Sequence, residues 1–160
     1  MVITFGNLAL WRRPVDETRK LARSDEPRVR LIAHRGFADE APENTLAALD
    51  HAASSGADVM ELDVRRCASG EVVVHHDETV DRVTDGTGRV ADLTRDELAA
   101  LDVLGSGEGV PTLAEVLDAV PGSLGLNVEC KEVGVAADVA ETLAAHDGDA
   151  MLSSFEQIGR

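Results

Sequence analysis

Cysteine, aromatic residues and long apolar runs are all scarce in this chain of 160 residues, which has two Cys, three Phe, one Trp and no Tyr. Cys67 and Cys130 form no CxxC pair, so we expect neither a zinc site nor a disulfide framework, but free thiols in a reducing cytoplasm. No apolar run approaches the roughly 18 residues that a membrane-spanning helix needs, which argues against stable membrane insertion. The apolar content of 44% is too high for a disordered chain, and one globular domain is predicted.

Lysine is nearly absent as well. Lys20 and Lys131 stand beside 13 Arg and against 30 Asp and Glu, so the formal net charge is −15. Such a charge repels phosphate backbones, and nucleic acid is therefore not an expected partner. A composition that is rich in acid and poor in Lys favours adaptation to high salt (a halophilic protein), where counterions screen the self-repulsion of the chain. An ordinary acidic protein is the alternative.

Strand and helix patterns alternate along the chain from residue 29 to its end. Residues 1–28 predict an N-terminal extension or linker, formed by an extra helix or an irregular tail, and residues 29–160 predict the domain. Residues 81–110 are punctuated by Gly and Asp and predict an insertion. The predicted strands are Val29–Ala33, Ala57–Val64, Glu71–His76, Leu124–Lys131 and Ala150–Ser154. The predicted helices are Leu46 to Gly56, Thr94–Leu101, Thr112–Val120 and Ala136–His146.

This alternation predicts the fold class. Strands that alternate with helices favour an α/β fold with a parallel sheet and right-handed crossovers. Five strands suit a small doubly wound sheet, and they equally suit the first five-eighths of a (β/α)8 barrel, which needs about 250 residues. The pattern alone leaves both open.

Carboxylates lie at the predicted C-terminal ends of two strands, where the loops of a parallel sheet surround an accessible crevice. Because alternate residues of a strand share a face, Glu61 and Asp63 lie together, and Glu129 lies on the polar face of the fourth strand. Three carboxylates at a buried edge would raise each other's pKa values unless a cation lies among them, and an all-oxygen set favours Mg²⁺ or Ca²⁺. The alternative is a salt-bridge network that uses Arg35, Arg65 and Lys131.

Histidines end two of the predicted strands. His34 follows the first strand, and His75 and His76 end the third. Histidine is the commonest general acid or base near neutral pH, and two of them could serve both sides of a displacement at phosphorus. Parity puts His76 on the face of Val72 and Val74 and His75 on the opposite face, but it does not say which face is inward.

Eight short segments follow one another over residues 31–155. They are Ala33-His34-Arg35-Gly36, Pro42-Glu43-Asn44-Thr45, Glu61-Leu62-Asp63-Val64, Val73-Val74-His75-His76-Asp77, Arg82-Val83-Thr84, Pro111-Thr112-Leu113, Asn127-Val128-Glu129-Cys130-Lys131 and Ser154-Phe155. In their order and spacing the chain resembles the glycerophosphodiester phosphodiesterase family. The resemblance implies a (β/α)8 barrel of the TIM type, with the 81–110 segment as an insertion beside the active-site mouth. It also implies metal-dependent hydrolysis of glycerophosphodiesters to sn-glycerol 3-phosphate and an alcohol.

The resemblance further implies roles for individual residues. The metal ligands would be Glu61, Asp63 and Glu129. The electrostatic partners of the phosphate or of the metal site would be Arg35 and Lys131. His34 and His76 would be the acid–base pair, and His76 is preferred to its neighbour because it precedes Asp77. Asn44 is predicted to cap a helix, with Glu43 completing the local structure.

A barrel of this family also has strands six to eight, for which the chain holds no segment. We therefore expect a barrel truncated after about five βα units, a poor catalyst on its own, with sheet edges open to self-association. Two other functions stay open. One is that of a related barrel phospholipase of the sphingomyelinase D type, which shares the plan of two histidines and carboxylates. The other is a non-catalytic fragment that retains a metal site.

Overall fold

The structure is a computed structural model that describes residues 10–12 and 30–154. Most of the predicted extension and Phe155 therefore lie outside the described residues. The strands are β1 (Leu10–Arg12), β2 (Ile32–His34), β3 (Val59–Arg66), β4 (Val72–Val74), β5 (Gly125–Cys130) and β6 (Ala150–Ser154). The α-helices are α1 (Leu46–Ser54), α2 (Arg95–Ala99), α3 (Leu113–Ala119) and α4 (Ala136–Ala144), and a 3-10 helix spans Val90–Asp92.

Four parallel strands form the centre of the sheet, in the order β2, β3, β5 and β6. Helix α1 connects β2 to β3, and α4 connects β5 to β6. The α/β class and the parallel sheet that the sequence predicts are therefore present. Among the described helices, none combines the length and the apolarity that crossing a membrane requires.

Strand β4 runs in the direction opposite to the predicted one. The alternation predicts five parallel strands, but Val72–Val74 pairs antiparallel with Val64–Arg66 of β3. The link between them is residues 67–71, whereas a parallel connection needs a dozen or more residues. This hairpin returns the chain to the polar end of the sheet, where the His75 N–H donates to the Asp63 carbonyl at 2.9 Å.

The two edges of the parallel sheet differ. Leu10–Arg12 forms β1 and pairs antiparallel with Ala150–Leu152 of β6, where the sequence predicted an extra helix or an irregular tail. One edge of the four parallel strands is thus covered. At the other edge, β2 has no strand on its outer side among the residues that the structure describes.

The main core lies between one face of the sheet and helices α1, α3 and α4. Its strand residues include Met60, Leu62 and Val64 of β3, which alternate with the polar positions Glu61 and Asp63. Residues 59–64 are nevertheless buried on both faces of β3. The carboxylates therefore sit in a low-dielectric environment, although their face is polar.

The 81–110 segment has a small core of its own. It contains Val90, Leu98, Val103 and Val110, together with Val73 of β4 and two other residues, Cys67 and Val80. The Glu108 carboxylate accepts a hydrogen bond from the Ala47 N–H at 3.1 Å, near the start of α1. The segment is thus packed against the hairpin and hydrogen-bonded to the first turn of α1.

Candidate metal centre and active site

Three buried carboxylates converge at the C-terminal ends of β3 and β5. Glu61, Asp63 and Glu129 each offer an oxygen within 4.8 Å of the oxygens of the other two. Asp63 and Glu129 are register partners on adjacent parallel strands, and Glu61 shares the face of Asp63. Strand parity and parallel pairing together bring the three side chains to one point, as the sequence analysis expected.

The electrostatics of this cluster favour a cation. Burial, followed by the negative charges of Asp63 and Glu129, raises the pKa of Glu61 to about 7. Its Oε1 atom is buried and has no hydrogen-bond partner among the described residues. An oxygen that is buried and unsatisfied needs an explanation such as an ion. The all-oxygen donor set fits a hard divalent metal.

Two cations neutralise part of the cluster. Lys131 Nζ lies 3.0 Å from Asp63 Oδ1 and also pairs with Glu129 Oε1. Arg35 Nε lies 3.2 Å from Asp63 Oδ2, an ion pair without hydrogen-bond geometry. The salt-bridge network of the alternative interpretation is therefore partly present, but Arg65 donates to the His76 carbonyl at 2.9 Å instead. Within the described part of the chain, two positive charges face three carboxylates, and Oε1 of Glu61 has no hydrogen-bond partner.

The loop after β2 holds its backbone in an uncommon conformation next to the cluster. Arg35 has φ +50° and Gly36 has φ +79°, both in the left-handed region. In this conformation the Arg35 N–H donates to Glu61 Oε2 at 3.1 Å. Such conformations of non-Gly residues cost about 1–3 kcal/mol and persist where the surroundings fix them. The loop thus contributes both a backbone donor and a guanidinium to the site.

Asn44 contacts the cluster instead of capping the helix, so the capping prediction is wrong. Its Nδ2 donates to Asp63 Oδ2 at 3.1 Å, and its Oδ1 accepts from the Asp63 N–H at 3.3 Å. The cap of α1 is Thr45, whose hydroxyl accepts from the Ala48 N–H at 3.1 Å. Asn and Thr are both good caps, so composition alone could not choose between neighbours.

The histidines take different positions around this edge. His34 Nε2 lies 3.8 Å from Glu61 Oε2, with 69% of its side chain exposed. His76 follows β4, is 30% exposed and places Nδ1 at 2.6 Å from Asp77 Oδ1. His75 is buried, its Nε2 lies 3.0 Å from the Thr79 carbonyl, and burial lowers its pKa. His34 and His76 thus have accessible rings, whereas His75 is held in the interior.

An ion-pair network that the sequence did not predict lies beside the site. It is formed by Glu43, Arg82 and Asp77. Arg35 Nη1 lies 3.1 Å from Glu43 Oε1, and Arg82 Nη2 lies 2.7 Å from the same oxygen. Arg82 also pairs with Asp77. Arg82 belongs to one of the eight segments that carry the family resemblance. This membership is the signal in the sequence that could have identified Arg82 as a functional residue.

Comparison with known proteins identifies the family. The model of the "Glycerophosphoryl diester phosphodiesterase family" matches residues 34–159. The chain belongs to this family. A family member from Caldanaerobacter subterraneus subsp. tengcongensis, named glycerophosphodiester phosphodiesterase, is 48% identical over 96 residues, which are 56% of this chain and 40% of that protein. The chain spans about half or less of the length of the curated relatives that it matches.

Solved structures of glycerophosphodiester phosphodiesterases have the same fold. The enzyme from Agrobacterium tumefaciens superposes with a TM-score of 0.76 at 39% identity, over 81% of this chain and 59% of that one. A phosphodiesterase from Oleispira antarctica, in complex with the product sn-glycerol-3-phosphate, gives 0.75 at 34% identity over the same shares. Structures of this family are of the TIM-barrel type, which confirms the predicted fold class.

Proposed function

We propose that this chain carries the metal and proton-transfer residues of a hydrolase that converts glycerophosphodiesters to sn-glycerol 3-phosphate and an alcohol. The observation that carries the proposal is the buried cluster of Glu61, Asp63 and Glu129, in which one oxygen has no hydrogen-bond partner among the residues that the structure describes. Family membership supports the substrate class, and the product bound to the Oleispira relative supports a small-molecule substrate.

The three carboxylates would hold Mg²⁺ or Ca²⁺, which prefer oxygen ligands. When bound, the ion neutralises the charge of the phosphodiester and polarises its phosphorus–oxygen bonds. Arg35 and Lys131 each pair with Asp63 and would add positive charge that attracts a phosphate group to the cluster. Asn44 holds Asp63 through two hydrogen bonds and so fixes the position of one ligand oxygen.

His34 and His76 would move the protons. One takes a proton from the attacking oxygen, and the other gives a proton to the leaving alkoxide; this type of catalysis contributes about 10²–10⁴ in rate. The burial of the His75 ring and the contact of its Nε2 with a backbone carbonyl support the choice of His76 over His75 for this role. The sphingomyelinase D type and the non-catalytic fragment are not favoured, because the named relatives are glycerophosphodiester phosphodiesterases.

Calorimetric measurement of metal affinity tests the assignment of Glu61, Asp63 and Glu129 as ligands. We expect the chain to bind Mg²⁺ or Ca²⁺, and Glu61→Gln to weaken that binding at least about tenfold, since one ligand charge is lost. Glu141→Gln removes an exposed carboxylate of α4 and serves as the control. Equal affinities in both variants would contradict the metal assignment and favour the salt-bridge network.

The rate of glycerophosphocholine hydrolysis in the presence of the metal ion tests which histidine transfers a proton. His76→Ala should lower the rate by about 10²-fold or more, whereas His75→Ala should act mainly on stability. The two variants remove the same side chain at adjacent positions, so each controls the other. The reverse ranking would assign proton transfer to His75.

A further inference from the structure

A series of contacts connects the loop before α1 to His76. Arg82 donates twice to Glu43, from Nη1 to Oε2 at 3.0 Å and from Nη2 to Oε1 at 2.7 Å. Its Nε donates to Asp77 Oδ2 at 2.5 Å. The other oxygen of Asp77, Oδ1, lies 2.6 Å from His76 Nδ1. The guanidinium of Arg82 therefore bridges two carboxylates that belong to separate segments of the chain.

The contact with Asp77 determines which nitrogen of His76 carries a proton. Although burial acts to raise it, the pKa of Asp77 is lowered to about 2, because Arg82 and His76 donate hydrogen bonds to the carboxylate. An ionised carboxylate only accepts hydrogen bonds, so Nδ1 must be the donor. Nε2 is then the nitrogen that is left to take or give a proton. The hydrogen bond of one ring nitrogen commonly sets the state of the other.

Arg82 does more than supply a positive charge. It uses Nε, Nη1 and Nη2, and a planar guanidinium that is held at all three nitrogens fixes the orientation of both partners. Glu43 is itself anchored, since it is 8% exposed and also accepts from Arg35 Nη1 at 3.1 Å. Asp77 is 26% exposed and would have freedom to rotate without Arg82. Its orientation therefore depends on the Arg82–Glu43 pair.

We propose that Arg82, anchored by Glu43, is a positioning residue that holds Asp77 in the orientation that keeps the proton of His76 on Nδ1. The proposal rests on the proposed function, in which His76 transfers a proton through its other nitrogen. Arg82 acts through Asp77 and has no contact with the reacting atoms in this proposal. Its position at the start of the 81–110 segment makes that segment part of the support of the active site.

Nitrogen NMR of the full chain labelled in its histidines tests the proposal without any need for turnover. Long-range proton–nitrogen spectra identify the protonated ring nitrogen, and His76→Gln assigns the His76 signals. In the unsubstituted chain we expect His76 to be predominantly the Nδ1–H tautomer when it is neutral. Arg82→Gln should lower the ratio of Nδ1–H to Nε2–H by about fivefold, the effect of one lost hydrogen bond. In Arg82→Lys this ratio should lie between those of the unsubstituted chain and Arg82→Gln, because an ammonium cannot reproduce the planar contacts of the guanidinium.

Arg89→Gln is the matched control, since Arg89 lies in the same segment and pairs with Glu78 outside the network. It should leave the His76 spectrum unchanged. Glu43→Gln should shift the tautomer in the same direction as Arg82→Gln, and the double variant should add little, because both act through one path. An Nε2–H tautomer in the unsubstituted chain, or an unchanged ratio in Arg82→Gln, would overturn the proposal.

Kinetics separate this proposal from the proposed function. Where the chain turns over glycerophosphocholine, Arg82→Gln should lower kcat by about 10- to 100-fold with little change in KM. A structural role alone would lower the melting temperature and leave the tautomer ratio of the folded protein as it was. A Glu61→Gln variant that binds Mg²⁺ or Ca²⁺ as tightly as the unsubstituted chain contradicts the proposed function, whereas the tautomer ratios alone decide whether Arg82 positions His76.

Discussion

Glu61 makes the stability of the metal-free protein depend on pH. Its pKa is about 7 in the folded chain against 4.5 for an ordinary glutamate. The folded state therefore binds a proton more tightly than the unfolded state, and the contribution of Glu61 to stability is full below about pH 4.5 and is lost as the pH rises through 7. With chelator present, the free energy of unfolding should fall by about 3 kcal/mol over this range relative to Glu61→Gln. Urea denaturation of both proteins from pH 4.5 to 8 measures the difference.

The difference in the free energy of unfolding between the unsubstituted chain and Glu61→Gln excludes the contributions of other titrating groups. His75 acts in the opposite direction, because burial lowers its pKa and its contribution is lost as the pH falls below about 6.5. This effect is common to both proteins and cancels. Saturating Mg²⁺ or Ca²⁺ should remove the pH dependence, since a bound cation stabilises the ionised carboxylate. A difference that stays constant with pH would contradict the raised pKa.

At the scale of elements, the turn between β2 and α1 depends on Gly36. The residue has φ +79°, and a Cβ placed there would lie 2.5 Å from the Ala48 Cβ and 2.8 Å from the Ala48 carbonyl oxygen. Gly56 has a nearly identical φ of +77°, but a Cβ there meets nothing within 4 Å. Gly56→Ala should therefore cost only the left-handed strain of about 1–2 kcal/mol. Gly36→Ala should cost more, because α1 must also move.

Denaturant titration of both variants measures the clash as the difference between their free energies of unfolding. Because Gly36 lies beside the Arg35 N–H that contacts Glu61, the Gly36 variant should also bind the metal more weakly. Equal losses of stability in the two variants would mean that α1 shifts without cost.

The positions of the elements could be predicted from the sequence more readily than their directions. The apolar run Ala57–Val64 and the Val-rich run Glu71–His76 predicted the strands observed as Val59–Arg66 and Val72–Val74. Their antiparallel pairing could have been read from the short link at residues 67–71, because a parallel connection does not fit there. Residue propensity predicts that a strand forms. The length of the connection to the preceding strand predicts whether the two strands pair parallel or antiparallel.

The carboxylate cluster could be predicted because it depends on parity and pairing. The side-chain period of two put Glu61 and Asp63 on one face, and parallel pairing brought Glu129 beside them. The role of Asn44 could not be predicted, because it depends on a backbone φ of +61° that turns the side chain towards Asp63. The contacts of Arg82 depend on the path of the 81–110 segment, which carries no periodic pattern.

At the scale of the whole molecule, the net charge of −15 should make stability depend on salt. Salt weakens exposed ion pairs such as Arg89–Glu78, but each is worth only about 0–1 kcal/mol. The repulsion among the excess carboxylates acts throughout the chain, so its screening should dominate. The melting temperature should rise by roughly 5 °C from low salt to molar KCl, which corresponds to about 2 kcal/mol.

The same scan at a pH close to the isoelectric point is the control for this salt effect. The net charge is small there, and KCl should have little influence on the melting temperature. A flat or falling melting temperature at neutral pH would mean that the acidic composition serves solubility alone and that the chain is not adapted to high salt.

The uncovered edge of the sheet predicts self-association of the purified 160-residue chain. β1 covers β6, but the outer side of β2 has no strand partner within the described ranges, and Leu31 and Ile32 are 47% and 54% exposed there. An edge strand with unpaired backbone groups and apolar side chains is a template for pairing with another chain. The charge of −15 opposes association at low salt, so the effect should be largest in molar KCl.

Light scattering over a range of concentrations in molar KCl measures this association. Ile32→Lys places a charge on the edge strand and should shift the chain towards monomer, as charged residues do on natural sheet edges. Val133→Lys introduces the same charge at an apolar side chain that is 72% exposed and follows β5, a strand that does not neighbour β2, so it should leave the association unchanged. If both variants act equally, association depends on net charge and not on the edge. A monomer at every concentration would mean that the outer side of β2 is protected in solution.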